Sequence, residues 1–286
     1  MTKTGNQPPD GPDTAGGSLR PLHIIQLTDL HLYADAQGRL LGQNTRLTFE
    51  SVLAVAQRGD WPPDALVLTG DLIHDESTEG YRFLRQRIEQ LGVPFFAIPG
   101  NHDRIDLMAG HFDAGATSGF RVESLGRWDL LLLDSTIPLE AGGHLKPIVL
   151  AELDRYASAN PRRHLLIFLH HHPEPVGSAW IDTMLVDNGS ELLASAAAHP
   201  NIRGIACGHV HQAREASPSR IEANAIDWMS TPSTCVQFLP HSKAFALDKL
   251  KPGYRRLDLY PDGRIETRVV RTHDYPDPLL PSTSGY

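Results

Sequence analysis

Five short apolar runs in this chain each end in residue types that bind metal ions. Asp29-Leu30-His31 follows His23 to Thr28, and Gly70-Asp71 follows Ala65 to Thr69. Gly100-Asn101-His102-Asp103 follows Pro94 to Pro99, His170-His171-His172 follows Leu165 to Leu169, and Gly208-His209-Val210-His211 follows Ile202 to Cys207. Short apolar runs bounded by Gly and Pro predict buried strands. A fold that places oxygen and imidazole donors at the carboxyl ends of several strands gathers those ends around a ligand, as open α/β sheets do.

Helical patterns alternate with the runs. Thr45 to Arg58 carries Leu47, Val52, Leu53 and Val55 among polar residues and is closed by Trp61-Pro62-Pro63. From Thr78 to Leu91, Tyr81, Leu84, Ile88 and Leu91 recur at steps of three, four and three, which puts them on one helical face. Asp129 to Leu133 adds a strand, and Val149 to Ala159 and Ser190 to Ala198 add helices. Strands alternating with helices predict an α/β fold with a largely parallel sheet and helices outside. After Ile221 the pattern changes to short segments, Thr234 to Leu239, Arg255 to Tyr260 and Arg264 to Arg271, expected to be antiparallel strands that complete a second sheet.

The donor segments run from Asp29 to His211 and must converge, so residues 21–286 of the 286-residue chain are expected to form one catalytic domain. Residues 1–20, rich in Gly, Pro, Asp and Thr, are expected to be a disordered tail. A chain of this length buries about three quarters of its unfolded surface, so it needs no disulfide or structural metal and any metal is free for catalysis. Cys207 and Cys235 are too few for a disulfide framework, form no Cys-x-x-Cys pair and suit a reducing cytoplasm. Cys207 reads as a small buried hydrophobe. The longest apolar strand run, Leu165 to Leu169, is far short of the roughly 20 residues that cross a bilayer, so no membrane partner is expected. A formal net charge of -8 without a dense Lys/Arg block weighs against nucleic acid and leaves a small anionic substrate open.

Asp29, His31, Asp71, Asn101, His170, His209 and His211 are the candidate metal ligands. Seven donors exceed one tetrahedral ion but suit two ions that share a carboxylate, and Asp71 can give one oxygen to each. Imidazole and carboxylate without thiolate favour Fe, Mn, Zn or Co, as two divalent or mixed-valence ions, over Mg. In an extended strand, residues two apart share a side, so Asp-x-His and His-x-His are each expected to aim two donors at one place. In Gly-Asn-His-Asp the glycine is expected to permit a sharp turn, Asn101 to offer a neutral oxygen, and His102 to stay free for substrate as the catalytic residue. Within the triple histidine, His170 is taken as the ligand, with His171 the alternative. Asp-x-His, Gly-Asp or His-x-His alone carries little weight; their recurrence at five predicted strand ends is hard to assign to core packing. His23, His74, His111, His144, His164, His199, His241 and His273 are expected to be ordinary surface or core histidines.

Asp-x-His, Gly-Asp, Gly-Asn-His-Asp, His and Gly-His-x-His, in this order, resemble the calcineurin-like metallophosphoesterase superfamily. A narrower resemblance is to the bacterial class III 3',5'-cyclic-AMP phosphodiesterases. It is carried by His170-His171-His172-Pro173 with Val176 to Trp180, by Thr231 to Phe238, by Phe245 to Asp248 and by Pro252 to Arg255. The resemblance implies two mixed β-sheets packed as a sandwich flanked by helices, in four αββα layers. It implies Asp29, His31, Asp71 and His211 on one metal and Asp71, Asn101, His170 and His209 on the other. Around bound substrate it implies His31, Asp71, Asn101, His102 and His211. The activity implied is hydrolysis of cyclic 3',5'-AMP to 5'-AMP by metal-bound hydroxide, with His102 stabilising the developing charge or protonating the leaving oxygen. Other phosphodiesters, such as glycerophosphodiesters, nucleic acid or phosphoproteins, are the near alternatives, and a non-catalytic scaffold of the same fold the distant one. Asn44 and Arg46 are further candidates for placing phosphate, and Trp180 or Phe238 for a flat wall against adenine.

Overall fold

Ile24 and Ile25, adjacent in sequence, are buried in different cores, and that alternation organises the whole architecture. The computed structural model describes residues 20–112, 119–214, 226–273 and 275–280; the expected tail lies outside them except for Arg20. Strands β1 (Leu22–Leu27), β4 (Ala65–Thr69) and β5 (Phe95–Ile98) pair in parallel, with a short hairpin of β2 (Arg39–Leu40) and β3 (Gln43–Asn44) between β1 and β4 in the chain. Helices α1 (Thr45–Gly59), α2 (Thr78–Glu89) and α3 (Ile105–Met108) follow β3, β4 and β5 in turn. A second sheet is built from β6 (Phe120–Leu125), β7 (Trp128–Leu133), β8 (His164–Phe168), β9 (Ile202–Cys207) and β10 (Trp228–Ser230), with α4 (Pro147–Ala159) and α5 (Gly189–Ala198) in its crossovers. The chain ends in a small pair, β11 (Gln237–Phe238) with β12 (Leu247–Asp248), and a hairpin, β13 (Gly253–Leu259) with β14 (Ile265–Arg271).

Both large sheets are mixed. The first runs β14-β13-β1-β4-β5 and is antiparallel at β1–β13 and β13–β14; the second runs β10-β9-β8-β7-β6 and is antiparallel only at β6–β7. Ile24, Val67, Ile98 and Leu257 of the first sheet pack against Leu130, Leu132, Leu166 and Phe168 of the second. On the outer side of the first sheet, Ile25, Leu27, Leu66 and Leu68 meet Phe49, Val52 and Leu53 of α1 and Tyr81, Leu84 and Ile88 of α2. On the outer side of the second, Leu131, Leu133, Leu165 and Ile167 meet Val149 and Leu153 of α4 and Leu192 of α5. The layers are therefore αββα, as expected. Each fully buried Leu, Ile or Phe contributes about 1.5 to 3 kcal/mol, so these three cores, and not the loops at the strand ends, hold the frame.

Two expectations change. The segments Arg255 to Tyr260 and Arg264 to Arg271 do not complete a second sheet; they extend the first by pairing along the free edge of β1, Ile24 opposite Leu257. Their alternation of apolar and charged residues shows an antiparallel pair but not which edge takes it. Of Thr234 to Leu239 only Gln237 and Phe238 are strand, because the preceding residues turn back over the site. No helix among the described residues is long and apolar enough to cross a membrane.

Candidate active site

The loops after β1, β4, β5, β8 and β9 meet at one end of the sandwich, the first three from one sheet and the last two from the other. Asp29, His31, Asp71, His209 and His211 all have φ between 46° and 65°. They are five of the nine non-glycine residues with positive φ among the described residues. Each such residue costs on the order of 1 to 3 kcal/mol, and strain of this kind concentrates where geometry must be imposed for function. It also corrects the expected reason for the Asp-x-His and His-x-His spacing. The pairs are not extended strand; each is a loop with two left-handed residues around a central apolar one. Leu30 and Val210, the central residues, are fully buried and anchor the loops from behind.

Glycine acts here mainly by absence of volume. A side chain on Gly100 would collide with the Asp71 carboxylate and backbone, and one on Gly208 with Thr28 and Asp29. Gly100 itself has an ordinary φ, so its role is close approach and not the sharp turn expected.

The structure brings all seven candidate donors together. Asp29 Oδ1 lies 3.2 Å from His211 Nε2, and His211 Nε2 lies 3.4 Å from His31 Nε2. Asp71 stands between two groups: its Oδ2 is 3.6 Å from His31 Nε2, and its Oδ1 is 3.4 Å from His170 Nε2. His170 Nε2 is also 3.1 Å from Asn101 Oδ1. His209 joins through its backbone N–H, which donates to both Asp29 carboxylate oxygens, and its ring centroid is 5.1 Å from that of His170. Asp29, His31 and His211 form one compact donor cluster; Asp29, Asp71 and His170 form another, and His170, His171 and His209 a third. Asn101 and His102 are half-buried while the other donors are buried, so the site opens on their side.

Outer contacts fix the ring orientations. His170 Nδ1 is 2.8 Å from the Thr69 carbonyl oxygen and His211 Nδ1 2.8 Å from that of Val236; each carbonyl can only accept, so Nδ1 carries a proton and Nε2 is the nitrogen turned to the site. His171 instead turns Nδ1 to Ser135 Oγ at 2.8 Å. Burial drives His31, His171 and His209 well below the ordinary imidazole range, keeping them neutral. Burial works against protonation of His170 as well, but Asp71 and Asp29 override it and push it up to about 9. Burial would raise the Asp71 carboxyl, and His170, His102 and His31 more than offset that and hold it well below the usual range.

The donor set fits divalent transition-metal ions. Two buried carboxylates and an amide oxygen converge with four imidazoles, and the buried Nε2 of His209 has no hydrogen-bond partner among the described residues. A buried unsatisfied nitrogen is costly unless something coordinates it.

Other expectations fare differently. Asn44 caps α1, accepting from the Leu47 N–H and donating to the Ala36 carbonyl oxygen. The Arg46 guanidinium donates to the carbonyls of Tyr33 and Ala34 and lies over the Phe83 ring. Neither is presented to phosphate. Phe238 is buried, stacked on His211 and among the residues that line a pocket with His211, Gln212 and Arg271, while the half-buried Trp180 packs edge-on against Phe238 and Phe245. His74, read as a bystander, sits within the site, its Nδ1 3.2 Å from His31 Nδ1.

The segment from Thr231 to Val236 is a buttress that sequence reasoning had tied to substrate. Thr231 donates to Gln26 between the sheets, Ser233 Oγ donates to the Asp29 carbonyl, and Val236 holds His211. Asp103 accepts from the N–H groups of Leu72, Ile73 and Gly100 and from the Tyr81 hydroxyl, clamping the β4 and β5 loops together.

A two-sheet sandwich with these loops at one end is the architecture of calcineurin-like phosphoesterases, and that family's profile matches residues 22–213. The chain belongs to this family. Over 254 residues it is 37% identical to the 3',5'-cyclic adenosine monophosphate phosphodiesterase CpdA of Escherichia coli K12, a match covering 88% of this chain and 90% of that one. It is 38% identical to the CpdA of Haemophilus influenzae, covering 87% and 90%. With the 3',5'-cyclic-nucleotide phosphodiesterase of Nostoc sp. it shares 33% identity over 92% and 97%. Among solved structures, a dimetal phosphatase from Danio rerio superposes with a TM-score of 0.59 at 16% identity, covering 88% of this chain and 99% of that one. The yellow lupin purple acid phosphatase PPD1 superposes at 0.67 with 12% identity, covering 94% and 55%. At those identities the likeness concerns the fold.

Proposed function

We propose that this chain is a binuclear metal-dependent phosphodiesterase that hydrolyses cyclic 3',5'-AMP to 5'-AMP. The observation that carries the reading is the placement of Asp71, whose two carboxylate oxygens face different imidazoles, His31 and His170. That is the disposition of a carboxylate shared between two ions. Asp29, His31, Asp71 and His211 would hold one ion, and Asp71, Asn101, His170 and His209 the other. His170 is preferred to His171 because its Nε2 faces Asp71 and Asn101 while its Nδ1 is held by Thr69.

Fe, Mn, Zn or Co suits the mixed imidazole and oxygen donors, and a pair of such ions supplies Lewis acidity to the phosphoryl oxygens and acidifies water. The protein's part is orientation and proton handling. Burial keeps His31 and His209 neutral, with lone pairs available near pH 7, whereas His170 would give up the proton that Asp71 and Asp29 favour to an ion it binds. Asn101, a neutral ligand, cancels less metal charge than a carboxylate would. His102 is anchored by its backbone N–H to Asp71 Oδ1 at 2.9 Å, and its half-buried ring stands at the open side beside His31. From there it can stabilise charge on the phosphoryl group or give a proton to the departing 3' oxygen.

Cyclic AMP as substrate rests on the identity to the CpdA enzymes across nearly the full length of both chains. We read residues 21–286 as one catalytic domain, since both sheets supply donors and the C-terminal hairpin pairs with β1. The free thiols of Cys207 and Cys235 suit a reducing, cytoplasmic setting. A substrate panel with purified, metal-loaded protein tests the assignment. Cyclic AMP should yield 5'-AMP with kcat/KM above that for a generic chromogenic diester. Cleavage of the generic diester with cyclic AMP left intact would reduce the reading to a broader phosphodiesterase.

A further inference from the structure

Three candidate ligand histidines share one design: Nε2 points into the site and Nδ1 meets an outer partner. For His170 and His211 the partner is a backbone carbonyl. For His31 it is another side chain, the Nδ1 of His74 at 3.2 Å, with ring centroids 5.3 Å apart and planes at 71°.

The backbone fixes this pairing. Beyond the end of β4, its ladder with β1 continues through the loops: Asp29 N–H donates to Gly70 O, His31 N–H to Asp71 O, Leu32 N–H to Leu72 O and His74 N–H to Leu32 O, at 2.8 to 3.0 Å. His31 and His74 are thereby held in register. A face of the His74 ring stacks on His102, with centroids 5.1 Å apart and planes at 27°, and Tyr33 packs at 5.1 Å.

Proton placement follows. A neutral His31 that offers its Nε2 lone pair carries its hydrogen on Nδ1. The atom facing that hydrogen must accept, so His74 Nδ1 is a lone pair and its own hydrogen is on Nε2. We propose that His74 is a positioning residue, accepting the His31 Nδ1–H so that the Nε2 lone pair is presented to the metal site, and bracing the His102 ring with its face. This rests on the reading of His31 as a metal ligand. It would make this coordination sphere adjustable through one side chain, which the carbonyls behind His170 and His211 do not allow.

The test uses the full chain loaded with Zn²⁺, and the variants His74→Phe and His74→Asn. Phenylalanine keeps a ring against His102 and removes the acceptor; asparagine places an amide oxygen near the position of the histidine Nδ1. In competition with a Zn²⁺ chelator, His74→Phe should hold one of two equivalents about 10- to 100-fold more weakly, and His74→Asn should recover to within about threefold of wild type, the usual scale for outer partners of ligands. Histidine ¹⁵N spectra of the wild-type zinc protein should show His31 protonated on Nδ1 and His74 on Nε2, a readout that stands even if a variant fails to fold. Undiminished Zn²⁺ retention in a folded His74→Phe, failure of asparagine to rescue, or the opposite tautomers would overturn the proposal. His31→Ala in the same titration separates the two levels. If it keeps both equivalents, the ligand reading of His31 fails and this proposal with it; if it sheds one while His74→Phe sheds none, only the role of His74 is wrong.

Discussion

The Phe238 ring lies flat on the His211 imidazole, centroids 3.9 Å apart and planes within 8°. With Nδ1 tied to the Val236 carbonyl and the ring face covered, the His211 ring is oriented with its Nε2 on Asp29 and His31. Trp180 and Phe245 hold Phe238 in turn. Phe238→Leu keeps most of the apolar volume, so its stability cost should be about 1.5 kcal/mol or less. It removes the flat face, and affinity for the ion held by His211 should fall about 10- to 100-fold. Chelator titration followed by elemental analysis reads this as early loss of one equivalent; loss of neither equivalent would show that stacking does not orient the ligand.

Asp71 is the residue whose removal should affect both ions. Asp71→Ala takes away an oxygen from each side of the pair, whereas His211→Ala and Asn101→Ala each take a donor from one side. Metal content after equal dialysis should therefore fall towards zero in the first variant and towards one equivalent in each of the others. An Asp71→Ala protein that retains two equivalents would end the shared-carboxylate assignment.

His102 should behave differently from every ligand. Its backbone is fixed by Asp71 and its ring is half-buried at the mouth of the site, so His102→Ala should keep both metals and lose about 10²- to 10⁴-fold in kcat, the range for a positioned acid or base. Paired metal analysis and kinetics decide it. A variant that sheds metal and slows no more than a ligand mutant would place His102 in the coordination sphere instead.

The site was legible in sequence to the extent that its donors sit at strand ends, where backbone direction alone delivers them. Asp29, Asp71, Asn101, His170 and His209 each follow an apolar run, and the runs state their own burial. What stayed hidden depended on contacts between distant segments. His74 is only three residues beyond Asp71, but its relation to His31 arises from continued pairing of two loops, which no periodicity reports. Thr231 to Phe238 was visible as an unusual block; that its first part props up ligands while Gln237 and Phe238 line a pocket beside His211 depends on where β10 delivers it. Arg46 shows the converse, a cation near a motif whose guanidinium is committed to carbonyls 12 and 13 residues earlier in the chain. The edge chosen by the C-terminal hairpin was equally unreadable, since an alternating strand fits any open edge of matching polarity.

Asp60 gives a prediction away from the metal site. It ends α1, is nearly buried, and receives the Tyr254 hydroxyl at 2.6 Å together with short ion pairs from Arg256 of β13 and Arg268 of β14. Burial alone would raise its carboxyl, but Tyr254, Arg256 and Arg268 outweigh that and hold it below the ordinary value of 3.8. A carboxyl whose pKa is lower folded than unfolded stabilises the fold fully above the unfolded value, and that contribution is lost as pH falls through the folded one. The tie between α1 and the hairpin should thus be constant from neutrality down to about pH 5 and weaken below about pH 4. Asp60→Asn keeps the shape and an acceptor for Tyr254 but removes the charge, and at pH 7 it should cost about 1 to 3 kcal/mol. Because the variant has already lost what acid removes, the gap in Tm between it and wild type should close as pH drops from 5 to 3. A gap that stays constant, or widens in acid, would show that Asp60 is not held ionised by this cluster.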